Sequence, residues 1–531
     1  MEQNKEKNNI IAFLDHSKKA RILALIVLGV ISLSTKMLFF PSDLPFMGDA
    51  LGYFWYANDI SILGHFPPGH ISSTVSVAPP NNGWPGFLSL VFSFINSENF
   101  LDYVNAQRLT SVIISTLTII PVYFLSKKFM NSSFAIVCSS AFVFAPRLVE
   151  NSLLGLTEPL FLLLGITSLV LFLNEGKKSI IFSFAIAALF SMVRYEGLLI
   201  LIPFTIIYFL RFGKNKSTIL KYALAMGIFL LVITPMIVIR METTGQDGLT
   251  SHIIHGPNYY ASMMEENDDD ILFHFIFKGI TYLVKHLAFI TIPIFIIFIP
   301  YGFFKLVKNR DYKKWTMILF GITFLIPAFY AYSRGFEDTR YLFILYPIMC
   351  LMVGYTIKGL GGRIRRPNIL FYFCLIMIIF VSVSFSFFSM NDFDKERELY
   401  EISKDISKLT ESINREYQGL MYLKWSASDI LNEFPILHSE LYDKNIKKIK
   451  YVGIKDNNFD NIESFLEYGK LQGLTHLVLD GNNMDVEIFK EVFVNEDKYP
   501  FLEKIYDSNV NGFETKVKIY KINYELMENI D

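Results

Sequence analysis

The sequence predicts a mainly α-helical polytopic membrane protein. It has about eleven transmembrane helices and a few juxtamembrane ones, and ends in a small C-terminal α/β domain outside the bilayer. Three observations carry this. Of 531 residues, 52% are hydrophobic and only 19% charged, with 51 phenylalanines, and the mean hydropathy is +0.36. Apolar runs near the ~20 residues that span a bilayer recur as far as residue 390. From residue 391 onward the chain turns polar, with charges of both signs mixed as on a solvated globular surface. This composition excludes an ordinary soluble enzyme, a disordered chain and a nucleic-acid binder. A net charge of -1 supplies no global field to steer an acidic or basic partner.

Residues 1–20 read as a cytoplasmic N-terminus. The first run, 21–40, has a basic flank and no small-residue cleavage site, so it reads as an uncleaved signal anchor. The other spans of the membrane domain 21–390 fall at 109–126, 134–145, 153–173, 180–193, 198–210, 219–239, 286–304, 315–332, 341–357 and 370–390. The run 84–95 is too short to cross comfortably and opens on Trp84-Pro85-Gly86. Basic residues decide its placement. If it stays juxtamembrane or re-entrant, the clusters at Lys127/Lys128, Lys177/Lys178, Arg211–Lys221, Lys305–Lys314 and Lys358–Arg366 all share the side of the N-terminus. The opposite side has no Lys or Arg from Pro41 to Gln107.

Smaller features follow from this threading. Lys36, near the outer end of the first span, is expected to snorkel to the interface. Asn131-Ser132-Ser133 and Asn215-Lys216-Ser217 fall on the cytoplasmic side, where a sequon stays unmodified. Cys138, Cys350 and Cys374 each sit in an apolar run and read as buried small hydrophobes. The long outer loop 241–285, with its acidic stretch 265–270, reads as a lid or a solvated loop. In the tail 391–531, strands are expected at 448–455, 475–479 and 516–522, helices at 462–469 and 486–493, and a charged linking helix at 392–417. An odd number of crossings puts this domain outside.

Ionisable residues at membrane level default to functional hypotheses, and here they gather at one surface. Asp49 and Asp59 lie in the first outer loop, 41–107. Glu150 and Glu158 flank the start of the fourth span. Arg194 and Glu196 sit between two short apolar runs. Arg334, Glu337, Asp338 and Arg340 fill the turn before Tyr341. Carboxylates and arginines sharing one membrane edge suit an anionic amphiphile, with arginines on a phosphate and a carboxylate acting as base. Plainer readings stand beside this. Glu158 and Arg194 are also a candidate structural ion pair, Arg340 a snorkelling arginine, and Glu196 and Asp338 candidate caps. Asp59 is expected to face solvent. His65 and His70, or His252 and His255, match no strong metal spacing and read as loop histidines. Asp268–Asp270 reads as a solvated acidic run.

The first outer loop is the richest segment. Asp49, Tyr53, Ala57 and Ile60 are spaced along one helical face. Asp49 would open that helix, where the dipole favours an ionised carboxylate; a plain cap is the alternative.

Six features then resemble the GT-C superfamily of membrane glycosyltransferases, on the branch of the protein O-mannosyltransferases and the aminoarabinose and Rhizobium-type sugar transferases. They are Gly48-Asp49-Ala50 with Tyr53 and Ala57; Gly64-His65-Phe66-Pro67; the Trp84-Pro85-Gly86 helix; Leu156-Thr157-Glu158-Pro159-Leu160-Phe161; Arg194-Tyr195-Glu196-Gly197; and Thr339-Arg340-Tyr341-Leu342 with Pro347. The resemblance covers most of 21–390. It implies a GT-C fold and an integral membrane protein, of the plasma membrane in a prokaryotic cell or of the endoplasmic reticulum otherwise. The implied reaction is inverting transfer of a hexose, such as mannose, from a polyprenyl- or dolichyl-phosphate donor to a hydroxyl of a lipid, glycan or protein acceptor. It implies Asp49 as general base and Arg194, Arg340 and Arg334 as donor-phosphate ligands. Glu158, Glu196, Tyr53 and His65 would orient the acceptor or a metal. No cofactor is required by a motif, and Mg2+ or Mn2+ dependence is left open. The tail lacks the Trp-Trp-Asp signature of oligosaccharyltransferases, having only Trp425-Ser426. A lipid-linked glycan transporter and a polysaccharide polymerase or ligase are the alternatives. A transporter would line a path through the membrane centre with charge. A polymerase lacks a reason for the helix-opening Asp49.

Overall fold

The computed structural model describes residues 10–67, 81–245, 247, 271–308, 311–389, 393–426, 434–440, 449–453, 459, 461–481 and 487–528. His70, His252, His255 and the acidic stretch 265–270 lie outside the described residues.

Helices dominate. In chain order they are α1 (Ile10–His16), α2 (Lys18–Leu38), α3 (Asp49–Leu63), α4 (Gly83–Phe92), α5 (Phe100–Leu117), α6 (Ile119–Ser126), α7 (Ser132–Val143), α8 (Pro146–Leu153), α9 (Glu158–Phe172), α10 (Lys177–Val193), α11 (Leu201–Phe212), α12 (Lys216–Thr244), α13 (Ile271–Thr291), α14 (Phe295–Val307), α15 (Tyr312–Ser333), α16 (Tyr346–Gly361) and α17 (Pro367–Ser389). Short 3-10 turns, Tyr195–Ile200 and Thr339–Leu345, precede α11 and α16.

Seven of these helical segments are long and apolar enough to cross a membrane, and nine if each of two bent pairs is one span. The shorter apolar helices Glu158–Phe172 and Lys178–Val193 stand where the fourth and fifth spans were expected. The α4 helix has 10 residues, about 15 Å, half the ~30 Å hydrocarbon core. One expected span is corrected. The run 286–304 is two helices, α13 and α14, meeting at 107° around Pro293, which has no N–H to continue a helix. The first of them begins at Ile271, inside the stretch expected as loop. A gentler bend of 50° separates α7 from α8, with Pro146 opening α8 where its missing N–H is harmless.

The chain divides into two compact units. The first comprises 1–40, 52–91 and 106–390. Its centre is close-packed: every residue of α7 is buried, and Phe161 stacks on Phe190 and Phe172 on Phe204 with ring centroids 4.0 Å apart. Its outside is apolar too. Leu23, Leu231 and Phe388 are exposed at 62%, 69% and 86%, a pattern that water would penalise and lipid tails would not. All three cysteines are buried and free.

The second unit comprises 41–51, 92–105 and 391–531. It holds α18 (Asp394–Leu409), β1 (Ser412–Asn414), α19 (Leu420–Ser426), β2 (Lys450–Val452), α20 (Ile462–Leu471), β3 (His476–Asp480), α21 (Glu487–Val494), β4 (Leu502–Asp507), β5 (Val517–Ile522) and α22 (Tyr524–Glu528). The sheet order is β2-β1-β3-β5-β4, with β1 parallel to β2 and β3 and the remaining pairs antiparallel. Phe465 and Leu466 of α20 pack with Leu477, Leu479 and Tyr520 of the sheet in one core. The expected linking helix 392–417 is shorter: α18 stops at Leu409 and the chain continues as the buried strand β1. Ser412-Ile413-Asn414 is too short to show a strand period.

Candidate functional site

The site is built where three helix ends of the first unit meet. The first is the start of α9. Glu158 and Pro159 occupy its opening turn, where proline fits and a carboxylate meets the positive end of the helix dipole. The second is the end of α10. Arg194 caps it in extended conformation, and the chain then folds back as a 3-10 turn closed by Gly197 N donating to Arg194 O at 2.9 Å. That return is tight: a Cβ on Gly197 would lie 2.7 Å from Ser191 Cα, so only glycine fits in Arg194-Tyr195-Glu196-Gly197. The third is the turn before α16, where Asp338 Oδ1 accepts from Arg340 N at 2.8 Å.

These ends bring five charges together. Arg194 Nη1 lies 2.5 Å from Glu158 Oε1, and Arg194 Nη2 lies 2.9 Å from Glu196 Oε1. Glu158 and Glu196 are buried, at 2% and 7% exposure. Asn151 Nδ2 donates to Glu158 Oε2 at 3.4 Å. Arg340 Nε pairs with Asp338 Oδ2 at 2.5 Å, and its Nη1 stands 3.9 Å from Glu158 Oε1. Buried carboxylates are tolerable only when paired, and Arg194 pairs two of them. Burial works against the Arg194 charge, but Glu196 and Glu158 outweigh it and hold its pKa well above the ordinary value. Its guanidinium lies 5.8 Å from the Phe161 ring and 5.7 Å from Tyr341, within cation–π range. A small open recess adjoins the cluster, with Phe161, Leu162, Phe324, Pro327, Phe343 and Ile344 as its apolar wall. The arrangement offers charged groups at the mouth of an apolar recess.

The other sequence candidates are placed as follows. Tyr53 is half-buried and within electrostatic reach of Arg194. Arg334 caps α15, lies over Tyr330 and Phe336 and is within electrostatic reach of Tyr195. Asp49 is exposed and is the first residue of α3; Gly48 before it has φ +59°, a left-handed turn that a side chain would strain. His65 is exposed, its Nδ1 3.1 Å from Leu63 O at the end of α3. Glu150 pairs with Arg147 at 3.0 Å instead of joining Glu158. Among the described residues, no group of three or more His, Cys, Asp or Glu side chains is arranged to hold a metal ion. Glu158 and Glu196 instead converge on a guanidinium.

Two expectations are overturned. Asp59 does not face solvent: it is 2% exposed, because α3 is enclosed from Phe54 to Ile60 and not along one face. Lys36 does not snorkel: it is fully buried and donates to Ser115 Oγ at 2.9 Å and Thr116 Oγ1 at 3.2 Å. One residue was missed. Arg240, 2% exposed near the end of α12, donates from Nη1 to Asn82 Oδ1 at 3.1 Å. A lone charge at the end of an apolar run was its sequence signal, the same one Lys36 gives.

No family model matches the sequence, and no curated protein matches it. Solved structures share its fold. ArnT from Cupriavidus metallidurans bound to undecaprenyl phosphate aligns with TM-score 0.56 and 9% identity, over 93% of this chain and 97% of its own. The oligosaccharyltransferase AglB from Archaeoglobus fulgidus, in complex with an inhibitory peptide and a dolichol-phosphate, aligns with TM-score 0.52 and 10% identity, over 87% of this chain and 69% of its own. The apo form of the A. fulgidus oligosaccharyltransferase aligns with TM-score 0.51 and 9% identity, over 87% and 70%. At such identities the likeness is one of fold.

Proposed function

We propose that this chain, folded like the GT-C glycosyltransferases, moves a sugar from a polyprenyl-phosphate carrier to an acceptor hydroxyl at the outer face of the membrane. The observation that carries the reading is the Glu158–Arg194–Glu196 cluster with Arg340 beside it, set at helix ends above an apolar recess. An isoprenoid phosphate has the matching shape, an anion on an apolar chain. A transporter would need charge along a path through the bilayer centre; Glu158, Arg194 and Arg340 stand at helix ends.

In this reading Asp49 takes the proton of the acceptor hydroxyl as its oxygen attacks the anomeric carbon. The bond from that carbon to the phosphate oxygen breaks, its electrons leave with the lipid phosphate, and the configuration inverts. The transition state has oxocarbenium character, and negative charge grows on the leaving phosphate. Preorganised cations stabilise that charge. Arg340 and Arg334 take this role. Arg194, already forked between two carboxylates, contributes its remaining N–H groups and fixes Glu158 and Glu196, which with Tyr53 and His65 orient the acceptor. The N-terminus is cytoplasmic and the tail domain extracytoplasmic. The donor sugar is a hexose.

The test is turnover of purified protein with a panel of polyprenyl- and dolichyl-phosphate sugars plus simple alcohol acceptors. Release of lipid phosphate together with an inverted glycoside supports the reading. Activity only with lipid diphosphates would replace it with the polymerase or ligase reading.

A further inference from the structure

The chain segment that leads into Asp49 packs as part of the C-terminal unit: residues 41–51 cluster with 391–531. Asp43 receives a fork from Arg397, with Nε to Oδ2 at 2.7 Å and Nη2 to Oδ1 at 3.3 Å. Arg397 is itself steadied by Asp394, 2.9 Å from Nη1. Leu44 and Phe46 are both 2% exposed. Asn105 Nδ2 donates to Ser42 O at 2.8 Å, tying the segment to residues 92–105. Phe434 holds that second stretch: its N–H donates to Glu98 O at 3.2 Å and its ring lies 4.7 Å from Tyr103.

We infer that the C-terminal domain is a positioning element for the reaction, with Arg397 and Phe434 as positioning residues that hold the backbone entering Asp49. The inference rests on the proposed role of Asp49 as base. Both partners of the Arg397–Asp43 pair are more than a third exposed, and exposed ion pairs add little to stability. A bidentate contact supplies geometry instead, because two parallel bonds fix orientation as well as distance. Geometry is what this segment lacks by itself. Met47 and Gly48 are exposed, and glycine at φ +59° is the most mobile kind of link to a helix start. A base misplaced by about 1 Å can cost ~100-fold in rate. Anchoring Asp43 six residues upstream, with Leu44 and Phe46 buried between, removes that freedom.

The experiment compares full-length Arg397→Ala, Asp43→Ala, Phe434→Ala and the exchange Asp43→Arg/Arg397→Asp with the native protein. It measures kcat, donor KM and hydrogen exchange across residues 41–51. The single variants are expected to melt close to the native temperature and to lose roughly tenfold or more in kcat. Donor KM stays within about twofold and exchange across 41–51 rises. The charge exchange recovers most of the loss, and so does Arg397→Lys in part. Arg397→Ala added to Asp49→Asn lowers the residual rate no further. Native kcat in both Arg397→Ala and Phe434→Ala, with Asp49→Asn inactive, overturns the positioning role and leaves the function standing. A change confined to KM, or no recovery in the exchange, overturns it as well. Native turnover in Asp49→Asn removes the base assignment itself.

Discussion

Arg194 and Glu158 meet at 2.5 Å across two helix ends, and the same guanidinium holds Glu196 at 2.9 Å on its other nitrogen. One cation thus pairs with two buried carboxylates. Removing it leaves both without their shared partner. Arg194→Ala is expected to destabilise the protein by roughly 3–5 kcal/mol, read as a lower melting temperature in detergent. Arg194→Lys keeps the charge but not the planar fork and should fall between. Equal melting of Arg194→Ala and the native protein would show that the cluster carries no structural weight.

Arg340 is poised differently. It touches Asp338 closely and Glu158 only at 3.9 Å. If it stabilises the leaving phosphate, Arg340→Ala lowers kcat by about 100- to 1000-fold, with a small effect on melting. A loss confined to stability would return Arg340 to a structural role.

Lys36 tests how buried charge is handled. It donates to two hydroxyls, Ser115 and Thr116, and replacing a buried charged group by an apolar one of similar volume is often neutral or stabilising. Lys36→Met should melt at the native temperature or above it. A drop equivalent to ~2 kcal/mol or more would mean that Lys36 anchors something beyond these hydroxyls.

In the tail, Glu496 accepts from Lys504, Tyr520 and Lys518, and these bonds hold its pKa down at about 2. A depressed folded-state value contributes stability that is complete above the unfolded carboxylate value. That stability is lost as pH falls toward about 2. Hydrogen exchange of β4 and β5 in the full chain should therefore quicken as pH falls from about 4.5, after correction for intrinsic rates. Glu496→Gln should flatten that dependence.

The fold was legible where a pattern repeats many times over: the apolar runs that form the helices, and the mixed-charge tail that forms the small C-terminal sheet. It was less legible where a few residues decide. The α13–α14 bend turns on Pro293, and β1 on three residues. The candidate site was readable as motifs with a local physical reason: Gly197 for close approach and Pro159 for a helix start. Its pairing was readable only in part: the Glu158–Arg194 pair was anticipated and is present. That Arg194 also joins Glu196, that Asn151 supports Glu158, and that Lys36 and Asp59 are enclosed depend on which helices pack together. No spacing along the chain encodes that.

The most direct test of the central claim is release of polyprenyl phosphate by native protein and by Asp49→Asn, measured side by side at saturating donor and acceptor. The account predicts turnover in the native protein and a fall of at least ~100-fold in the variant, with unchanged melting. Equal turnover in both would contradict Asp49 as the base and with it the mechanism proposed for this chain.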